Sequence, residues 1–504
     1  MSLKLNIAAN YASQIYTTLI GIVLVPLYLR FMGSEAYGLL GFFSMLQAWF
    51  GLLDLGLTPT IARESARYQG GALSALEYRR VFRALSLLFG IVALGGGLLL
   101  VMAAQPIAQH WLKADALPLA EVVLAVQIMA ACVALRWMGG LYRGVVSGSE
   151  RLVWLSGFNA LIATLRFGGV LASMWIWGFT AAVFFWHQIA VAALELIALS
   201  WASYRLLPGQ RLLGGVIGWS LRPIRPLLSF ALTIAFTSSV WVLVTQSDKL
   251  ILSGILSLSE YGYYSLAVLV AGCITVLVSP VSAAILPRMA RLHAQGEMDE
   301  VRRVYRNATQ LVCAVAGCAA LTLAVCAEPL LYAWTGDAQI VQAAAPILRL
   351  YAIGNGLLAV SAFPFYLQYA RGQLRYHLIG NVIMVVMLVP AIVLASLHAG
   401  AVGAAWAWVA LNVLYLLGWV GFVHSRLEPG LHLAWLGRDV LAIIGPAIVV
   451  GMLLGATFDD PGSRSASLMQ TLAVFAVGAL AAWMAASALR VRVSAEPQCE
   501  ATRS

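Results

Sequence analysis

The sequence predicts an all-α, polytopic integral membrane protein with about fourteen spanning helices. Hydrophobic residues make up 62% of the 504-residue chain and charged residues only 10%, whereas soluble domains carry about 25% charged residues. Apolar runs of roughly 20 residues, long enough to cross about 30 Å of hydrocarbon as a helix, recur along the whole chain. Such a chain cannot bury its apolar surface in one water-soluble core, so the lipid bilayer must act as its solvent.

The predicted spans follow one another with short connections. In chain order they cover 10–29, 37–61, 84–104, 117–135, 153–176, 179–201, 227–247, 261–285, 309–332, 342–366, 376–397, 400–423, 439–457 and 467–489. The fifth and sixth runs are separated only by the short break at Trp177 and Gly178.

Basic residues concentrate in alternate loops. About 25 of the 31 Lys and Arg residues lie in the even-numbered loops and at the two termini, among them Arg79, Arg80 and Arg83. By the positive-inside rule, these loops and both termini face the cytoplasm. The same scatter over short loops accounts for the net charge of +10. It argues against nucleic-acid binding, which needs a concentrated basic patch.

The sequence repeats itself weakly after six predicted helices. Three pairs of segments recur in the same order, at offsets between 223 and 225 residues: 34–38 with 259–263, 66–67 with 290–291, and 79–83 with 302–306. An offset of six helices is even, so both copies cross the membrane in the same direction, as in transporters with parallel repeats.

The repeat predicts two lobes followed by an appended pair of helices. A six-helix lobe covers 1–215, a second covers 216–430, and 431–504 holds two additional helices and a cytoplasmic tail. Two parallel lobes are expected to enclose a cavity, and their rocking would give alternating access to it.

Several short segments carry the resemblance to a known family. They are NYASQ at 10–14, VPLYLRFMG at 25–33, YG at 37–38, LDLGL at 53–57, SDK at 247–249 and YY at 263–264. These segments resemble the polysaccharide and O-antigen flippases called Wzx. Those flippases belong to the multidrug/oligosaccharidyl-lipid/polysaccharide exporter superfamily.

The resemblance implies six plus six helices, often with two more, and a transporter rather than an enzyme. The implied cargo is an oligosaccharide unit on undecaprenyl diphosphate, moved from the cytoplasmic to the periplasmic leaflet of the bacterial inner membrane. No cofactor is implied. Expected partners are a polysaccharide polymerase and chain-length proteins, with H⁺ or Na⁺ as a coupling ion.

Other functions stay open beside this one. A peptidoglycan lipid-precursor flippase would carry the same diphosphate, and a multidrug cation exporter of the same superfamily would need acidic groups deep in its cavity. A membrane glycosyltransferase or polymerase would need a large loop with catalytic residues. Here the longest predicted loops have about 20 to 25 residues, and no HExxH, P-loop or nucleophile-elbow pattern occurs.

Three basic residues in predicted spans are candidates for the cargo's diphosphate. Arg166 lies near the middle of the fifth span and Arg349 in the periplasmic third of the tenth. Lys249 lies in the periplasmic third of the seventh span when that span is continued from residue 247 to about 256. A charge at such depth costs at least about 2.5–3.5 kcal/mol, so it should face a cavity or a partner. The alternatives are a structural ion pair or snorkelling to the headgroups.

Polar residues at helical spacing are candidates for the sugars. Asn10 and Gln14 lie on one stripe of the first span, and Asn159 lies seven residues before Arg166, on the same face. Amide side chains suit sugar hydroxyls, but they suit hydrogen bonds between helices equally well.

Asp54 and Glu195 are the acidic residues predicted to be buried, both toward the cytoplasmic ends of their spans. Either could take up a proton or a cation if transport is ion-coupled. Either could instead pair with an arginine and hold the bundle together.

Overall fold

The computed structural model describes residues 3–457 and 463–495. Apart from an isolated bridge between Lys113 and Ser257, the regular elements of these ranges are helices, which confirms the all-α prediction. The chain divides into two compact units, 1–262 and 263–504. The end of the predicted cytoplasmic tail, from residue 496, lies outside the described residues.

The α-helices that begin in the first unit come in short succession. In chain order they are α1 (Leu3–Val23), α2 (Val25–Phe50), α3 (Leu57–Gln69), α4 (Ala75–Pro106), α5 (Leu119–Gly148), α6 (Leu152–Ala163), α7 (Val170–Trp177), α8 (Ala181–Leu206), α9 (Leu228–Ile255) and α10 (Leu258–Ala294). The domain boundary predicted at residue 215 remains a prediction.

The second unit continues with shorter helices joined end to end into longer rods. These are α11 (Met298–Val312), α12 (Cys318–Val325), α13 (Ala327–Thr335), α14 (Ala338–Ser361), α15 (Phe363–Ala370), α16 (Arg375–Leu414), α17 (Val420–Leu427), α18 (Leu431–Ala434), α19 (Ala442–Thr457) and α20 (Arg464–Ala495). Single π-helical turns join several of them, including α11 to α12 and α16 to α17.

Eleven helical segments of the described ranges are long and apolar enough to cross a membrane, and twelve if the bent pair Arg222–Leu232 and Ile234–Ile255 is one span. The segment that begins with α16 bends at Gly400, where φ is 55°. Counting its two arms separately makes thirteen, close to the predicted number of about fourteen; α1 has 21 residues but is less apolar than these segments. The predicted break at Trp177 and Gly178 is present, because α7 ends at Trp177 and α8 begins at Ala181.

Large apolar side chains on the outside of α4 show that the surface is suited to lipid. Leu94, Leu98, Leu99 and Met102 are each more than 60% exposed. A contiguous exposed apolar face of this kind marks an interaction surface or a membrane-facing surface. Together with the spanning helices, it identifies a multi-pass membrane protein.

Three glycines on α5 let α3 approach it closely. A Cβ atom at Gly148 would lie 2.1 Å from the Ala62 carbonyl oxygen, and one at Gly144 would lie 2.8 Å from the carbonyl oxygen of Thr58. Gly140, one turn earlier, would meet the Thr58 hydroxyl at 2.8 Å. Small residues at this spacing allow close backbone contact between membrane helices, and here they fix the position of α5.

The repeated segments around residues 34 and 259 contact each other. The hydroxyl oxygens of Ser34 and Ser259 are 2.6 Å apart. A Cβ atom at Gly38 would lie 2.1 Å from the Leu258 carbonyl oxygen, and one at Gly262 would lie 2.5 Å from that of Ser34. Each copy thus presents its glycine to the other copy's backbone, a reciprocal pattern expected of segments related by a local two-fold axis.

In the second unit, a buried ion pair joins α11 to the π-helical turn Trp435–Leu441. Arg306 donates from Nε and from one terminal nitrogen to the two carboxylate oxygens of Asp439, at 2.7 and 3.2 Å. Gln310 donates to the same carboxylate at 2.7 Å. Asp439 is completely buried, whereas the Arg306 side chain is 27% exposed, and this cluster fastens the chain before α19 to α11.

Candidate functional site

Arg166 lies in a π-helical turn, Thr164–Gly169, that separates α6 from α7. The wide turn displaces carbonyl groups from the regular helical ladder, and π-bulges of this kind occur frequently at functional sites. Side chains satisfy the displaced carbonyls. Those of Leu165 and Arg166 bond to His187 and Gln188 of α8 at 2.9 Å each, and Tyr28 donates to the carbonyl of Phe167 at 2.5 Å. The backbone that carries Arg166 is therefore held on three consecutive residues.

The Arg166 side chain, by contrast, is not paired. Its Nε is buried and has no hydrogen-bond partner among the described residues, and no carboxylate there forms an ion pair with it. The guanidinium carbon lies 5.6 Å from the centre of the Phe167 ring. A buried donor without a partner is costly, and a charge inside a spanning helix is a candidate for function.

Arg143 of α5 connects two of the predicted residues to this region. It donates to Asn159 Oδ1 and to Glu195 Oε1, both at 2.6 Å. Glu195 is also close enough to Arg166 to interact with it electrostatically. The structure thus brings Arg166, Asn159 and Glu195 together, with an arginine that the sequence analysis did not single out.

Arg136, about two helical turns before Arg143 on the same face of α5, completes the group. Its two terminal nitrogens donate to Gln47 Oε1 at 2.7 Å and to Gln188 Oε1 at 2.8 Å. Gln188 bonds in turn to the backbone of Arg166, so it couples the two arginines through one side chain. Arg136 and Arg166 also repel each other electrostatically.

We call Arg136, Arg143, Arg166 and Glu195 the arginine cluster. Its three guanidinium groups face one carboxylate, which leaves a formal excess of two positive charges. The side chain of Arg143 is 37% exposed, so the cluster is open to a ligand. Arginine is always charged and presents a planar fork of donors that matches phosphate oxygens. The arrangement can therefore bind an anion, and a phosphate group in particular.

Arg136 and Arg143 were missed because the predicted fourth span ended at residue 135, which assigned both to a cytoplasmic loop. In the structure α5 continues to Gly148. The signal that could have found them is the glycine repeat at 140, 144 and 148, because small residues at this spacing are typical of a packed membrane helix.

Asn10 and Gln14 of α1 are both exposed and bond through their side chains to no described residue. On the adjoining face, Ser13 donates to the carbonyl oxygen of Ser156 at 2.8 Å, which attaches α1 to α6. The two amides are thus available to a ligand. Their predicted role in sugar binding stays a prediction.

Asp54 ends the short 3₁₀ turn that follows α2 and caps the start of α3. Its carboxylate accepts from the Thr58 hydroxyl at 2.6 Å and from the Thr58 backbone nitrogen at 3.2 Å. The intervening Gly56 has φ of 71°, and a Cβ atom there would lie 2.3 Å from the carbonyl oxygen of Ala231. This geometry gives Asp54 a structural role as a helix cap, and its role in ion coupling stays untested.

The two remaining basic candidates lie outside the arginine cluster. Lys249 of α9 folds back along its own helix and donates to Gln246 Oε1 at 2.9 Å. Arg349 belongs to the second unit, where it donates to the Ala324 carbonyl oxygen at 3.1 Å and to Glu328 at 3.3 Å. The described residues contain no group of three or more His, Cys, Asp or Glu that could hold a metal ion.

A family model and a known protein both match the sequence of this chain. A family model described as "Polysaccharide biosynthesis protein" matches residues 3–293. The "Putative O-antigen transporter" of Shigella flexneri is 22% identical over 435 residues, which cover 83% of this chain and 98% of that protein.

Solved structures share the fold. A structure of the lipid II flippase MurJ in an inward closed conformation aligns with a TM-score of 0.74 and 13% identity, and covers 98% of this chain and 100% of that one. An inward-facing multidrug resistance MATE transporter of the MOP superfamily aligns with a TM-score of 0.67 and 13% identity, over 82% of this chain and 94% of that one. At these identities, the likeness establishes the polytopic transporter fold.

Proposed function

The chain belongs to the family of polysaccharide biosynthesis proteins, and from this premise we propose that it moves lipid-linked oligosaccharide units across a bacterial cytoplasmic membrane. The proposed cargo is an oligosaccharide on a polyprenyl diphosphate such as undecaprenyl diphosphate. It is turned from the cytoplasmic to the periplasmic leaflet by alternating access. The related O-antigen transporter of Shigella flexneri supports this class of cargo.

The observation that carries the proposal is the charge excess of the arginine cluster. A diphosphate diester has one negative charge on each phosphate group, and the cluster has two guanidinium charges more than Glu195 can neutralise. In a protein interior of low effective dielectric, an unmatched cation attracts an anion far more strongly than it does in water. Arg166, whose backbone is fixed and whose Nε is unpaired, is the group we assign to direct contact with the diphosphate.

The sugars need hydrogen-bonding partners rather than charge. The exposed amides of Asn10 and Gln14 on α1 support a role in sugar binding. We assign Asn159 to positioning, because its Oδ1 accepts from Arg143 and so orients that guanidinium group.

The proposed location is the inner membrane, with both termini in the cytoplasm. The distribution of arginine over the loops supports this orientation. A polysaccharide polymerase and chain-length proteins are the proposed partners on the periplasmic side, and H⁺ or Na⁺ is the proposed coupling ion.

The charge of the cluster argues against a multidrug cation exporter. Such a protein would need unmatched carboxylates in its binding region, whereas here the single carboxylate, Glu195, is already bonded to Arg143. The unmatched charges are positive, and they would repel a cationic drug.

The test is restoration of surface polysaccharide in a strain that lacks its own flippase, normalised to the amount of protein in the membrane. Arg166→Ala should lower transport about tenfold or more, because a hydrogen bond to a charged group contributes about 1.5–3 kcal/mol. Arg166→Lys should retain part of the activity, since it keeps the charge and loses the two-pronged donor geometry.

Arg426→Ala is the matched control, since its guanidinium carbon lies 5.4 Å from the Phe422 ring centre, a contact similar to that of Arg166, but far along the chain from the cluster. We expect it to transport normally. Full transport by Arg166→Ala would contradict the assignment of this residue to the diphosphate.

A further inference from the structure

A basic cavity, separate from the arginine cluster, lies in the first unit, where α4 begins and α8 ends. Its volume is about 310 Å³, many times the roughly 30 Å³ that one water molecule occupies in the liquid. Basic and aromatic side chains make up most of its wall: Arg79, Phe82, Arg83, Tyr204 and Trp219. None of these residues belongs to the arginine cluster.

Three arginines at the start of α4, of which Arg79 and Arg83 line this cavity, hold the connecting segment 207–227 against α4. Arg79 donates from Nε to the carbonyl oxygen of Pro208, and Arg80 donates to that of Val216, both at 2.9 Å. The guanidinium carbon of Arg83 lies 4.6 Å from the centre of the Trp219 ring. Two of the three arginines thus bond to backbone, and the third stacks on an indole.

Their positive charge is not neutralised by an ion pair. Within residues 3–457 and 463–495, no carboxylate lies in ion-pair distance of Arg79, Arg80 or Arg83. The nearest acid in the sequence, Glu77, bonds to the backbone nitrogen and the hydroxyl of Ser74 at 3.1 and 2.7 Å, which completes the cap of α4. The cavity is therefore a site of concentrated positive charge that offers free guanidinium donors.

The connecting segment itself is amphipathic and suited to a membrane surface. Leu213, Ile224 and Leu227 are buried and anchor it. Two other apolar side chains of the segment are strongly exposed: Val216 at 82%, and Trp219, which also lines the cavity, at 75%. Arg211 precedes these two exposed groups in the chain, and Arg222 and Arg225 follow them. Arginine close to an exposed tryptophan is typical of segments that lie in the headgroup region of a bilayer.

We propose that this cavity binds the phosphate headgroup of an anionic phospholipid. The terminal nitrogens of Arg79 and the guanidinium of Arg83 contact the phosphate, while the rings of Trp219 and Tyr204 lie beside the glycerol and the first carbons of the acyl chains. Basic pockets at the ends of membrane helices bind anionic headgroups by the same chemistry. The bound lipid would hold the segment 207–227, which leads directly into α9, against the start of α4.

A phosphate carried on a lipid could come from a phospholipid or from a polyprenyl diphosphate, so the experiment compares the two. The full-length protein is purified in detergent and titrated separately with phosphatidylglycerol, phosphatidylethanolamine and a polyprenyl diphosphate, and bound lipid is counted by native mass spectrometry. We expect phosphatidylglycerol to bind in preference to phosphatidylethanolamine. Arg83→Gln should weaken that binding about fivefold, since one arginine near a membrane surface contributes about 1 kcal/mol.

Arg63→Gln is the matched control, because the Arg63 guanidinium carbon lies 4.5 Å from the Phe230 ring centre, outside this cavity. It should bind phosphatidylglycerol as the unmodified protein does. Arg79→Gln removes a bond to the connecting segment as well. Arg83→Gln is therefore the decisive variant, because it breaks no hydrogen bond of the described structure.

Three results would overturn the proposal. The first is equal binding of phosphatidylglycerol and phosphatidylethanolamine, and the second is unchanged phosphatidylglycerol binding by Arg83→Gln. The third is displacement of phosphatidylglycerol by a lower concentration of polyprenyl diphosphate, with that displacement lost in Arg83→Gln. This last result would assign the cavity to the cargo instead. Failure of phosphatidylglycerol binding leaves the transport assay of Arg166 unaffected, so the two proposals are tested separately.

Discussion

Two groups of arginines, one in each unit, are neutralised differently, and we call a group closed when its charges match and open when they do not. In the second unit, Arg306 meets Asp439 through two hydrogen bonds, and the carboxylate is fully buried. In the first unit, three arginines share Glu195, and the side chain of Arg143 remains 37% exposed. The Arg306–Asp439 pair is neutral and closed, whereas the arginine cluster is positive and open.

This difference separates an arginine that holds helices together from one that can bind a ligand. A buried ion pair is tolerated because each charge compensates the desolvation of the other. An unmatched charge within a spanning segment has no such compensation, so its retention points to a partner that arrives from outside. Depth in a helix alone does not distinguish the two, since Arg166 and Arg306 both belong to spanning segments.

The largest effect is expected where the closed pair is broken. Asp439→Ala leaves Arg306 and Gln310 without their acceptor, and removal of one partner from a buried pair costs about 3–5 kcal/mol. We expect little folded protein in the membrane and a lower unfolding temperature in detergent. Fluorescence-detected size-exclusion chromatography and a thermal unfolding scan measure both.

The exposed acid Asp299 is the control for this prediction. It is 93% exposed and lies 3.5 Å from Arg302, so Asp299→Ala should leave abundance and unfolding temperature unchanged. The double variant Arg306→Met with Asp439→Leu should recover much of the stability, because two apolar side chains leave no charge unpaired. A stable Asp439→Ala protein would show that the pair does not hold α11 to the following turn.

An intermediate effect is expected at the single acid of the open cluster. Glu195→Gln removes the ion pair with Arg143 but keeps an oxygen that can accept its hydrogen bond. We expect folded protein at near-normal abundance and transport reduced by less than Arg166→Ala reduces it. Surface polysaccharide in the flippase-deficient strain, measured between pH 6 and 8, tests this expectation.

Glu195→Asp is the matched variant, since it keeps the charge and shortens the side chain. If Glu195 only orients Arg143, both variants should have partial activity with an unchanged dependence on external pH. Loss of transport in Glu195→Gln alone, together with loss of its pH dependence, would instead assign Glu195 to ion coupling.

Composition was sufficient to predict the fold class, because the apolar content leaves no soluble alternative. The spans followed from run length, and so did the break at Trp177 and Gly178, which divides an apolar stretch too long for one span. The sequence could not predict that the fourth span continues past residue 135. There Arg136 and Arg143 interrupt the apolar run, and hydropathy assigns the arginines to a loop although the helix continues to Gly148.

Part of the site could also be predicted from depth and spacing. Arg166, Asn159 and Glu195 do lie in one region, since each belongs to the helices α6 to α8 that pack against α5. The pairing of each charge could not be predicted, because it depends on contacts more than 50 residues apart, such as Arg143 with Glu195. For the same reason, the pairing of Arg349 with Glu328 could not be predicted, and Arg349 stayed a second candidate behind Arg166.

The smallest effect is expected at Arg349, which belongs to an exposed ion pair of the second unit. It is 47% exposed, and its partner Glu328 is 63% exposed. Exposed pairs of this kind contribute about 0–1 kcal/mol, so Arg349→Ala should leave folding intact and transport within about twofold of normal.

Glu328→Gln is the matched variant. If Arg349 serves only this pair, the two variants should behave alike in the polysaccharide assay. If Arg349 binds the diphosphate, Arg349→Ala should lose transport while Glu328→Gln keeps it. That second result would place a ligand-binding arginine in the second unit as well, and the contrast between the open arginine cluster and the closed Arg306–Asp439 pair would no longer separate the two units.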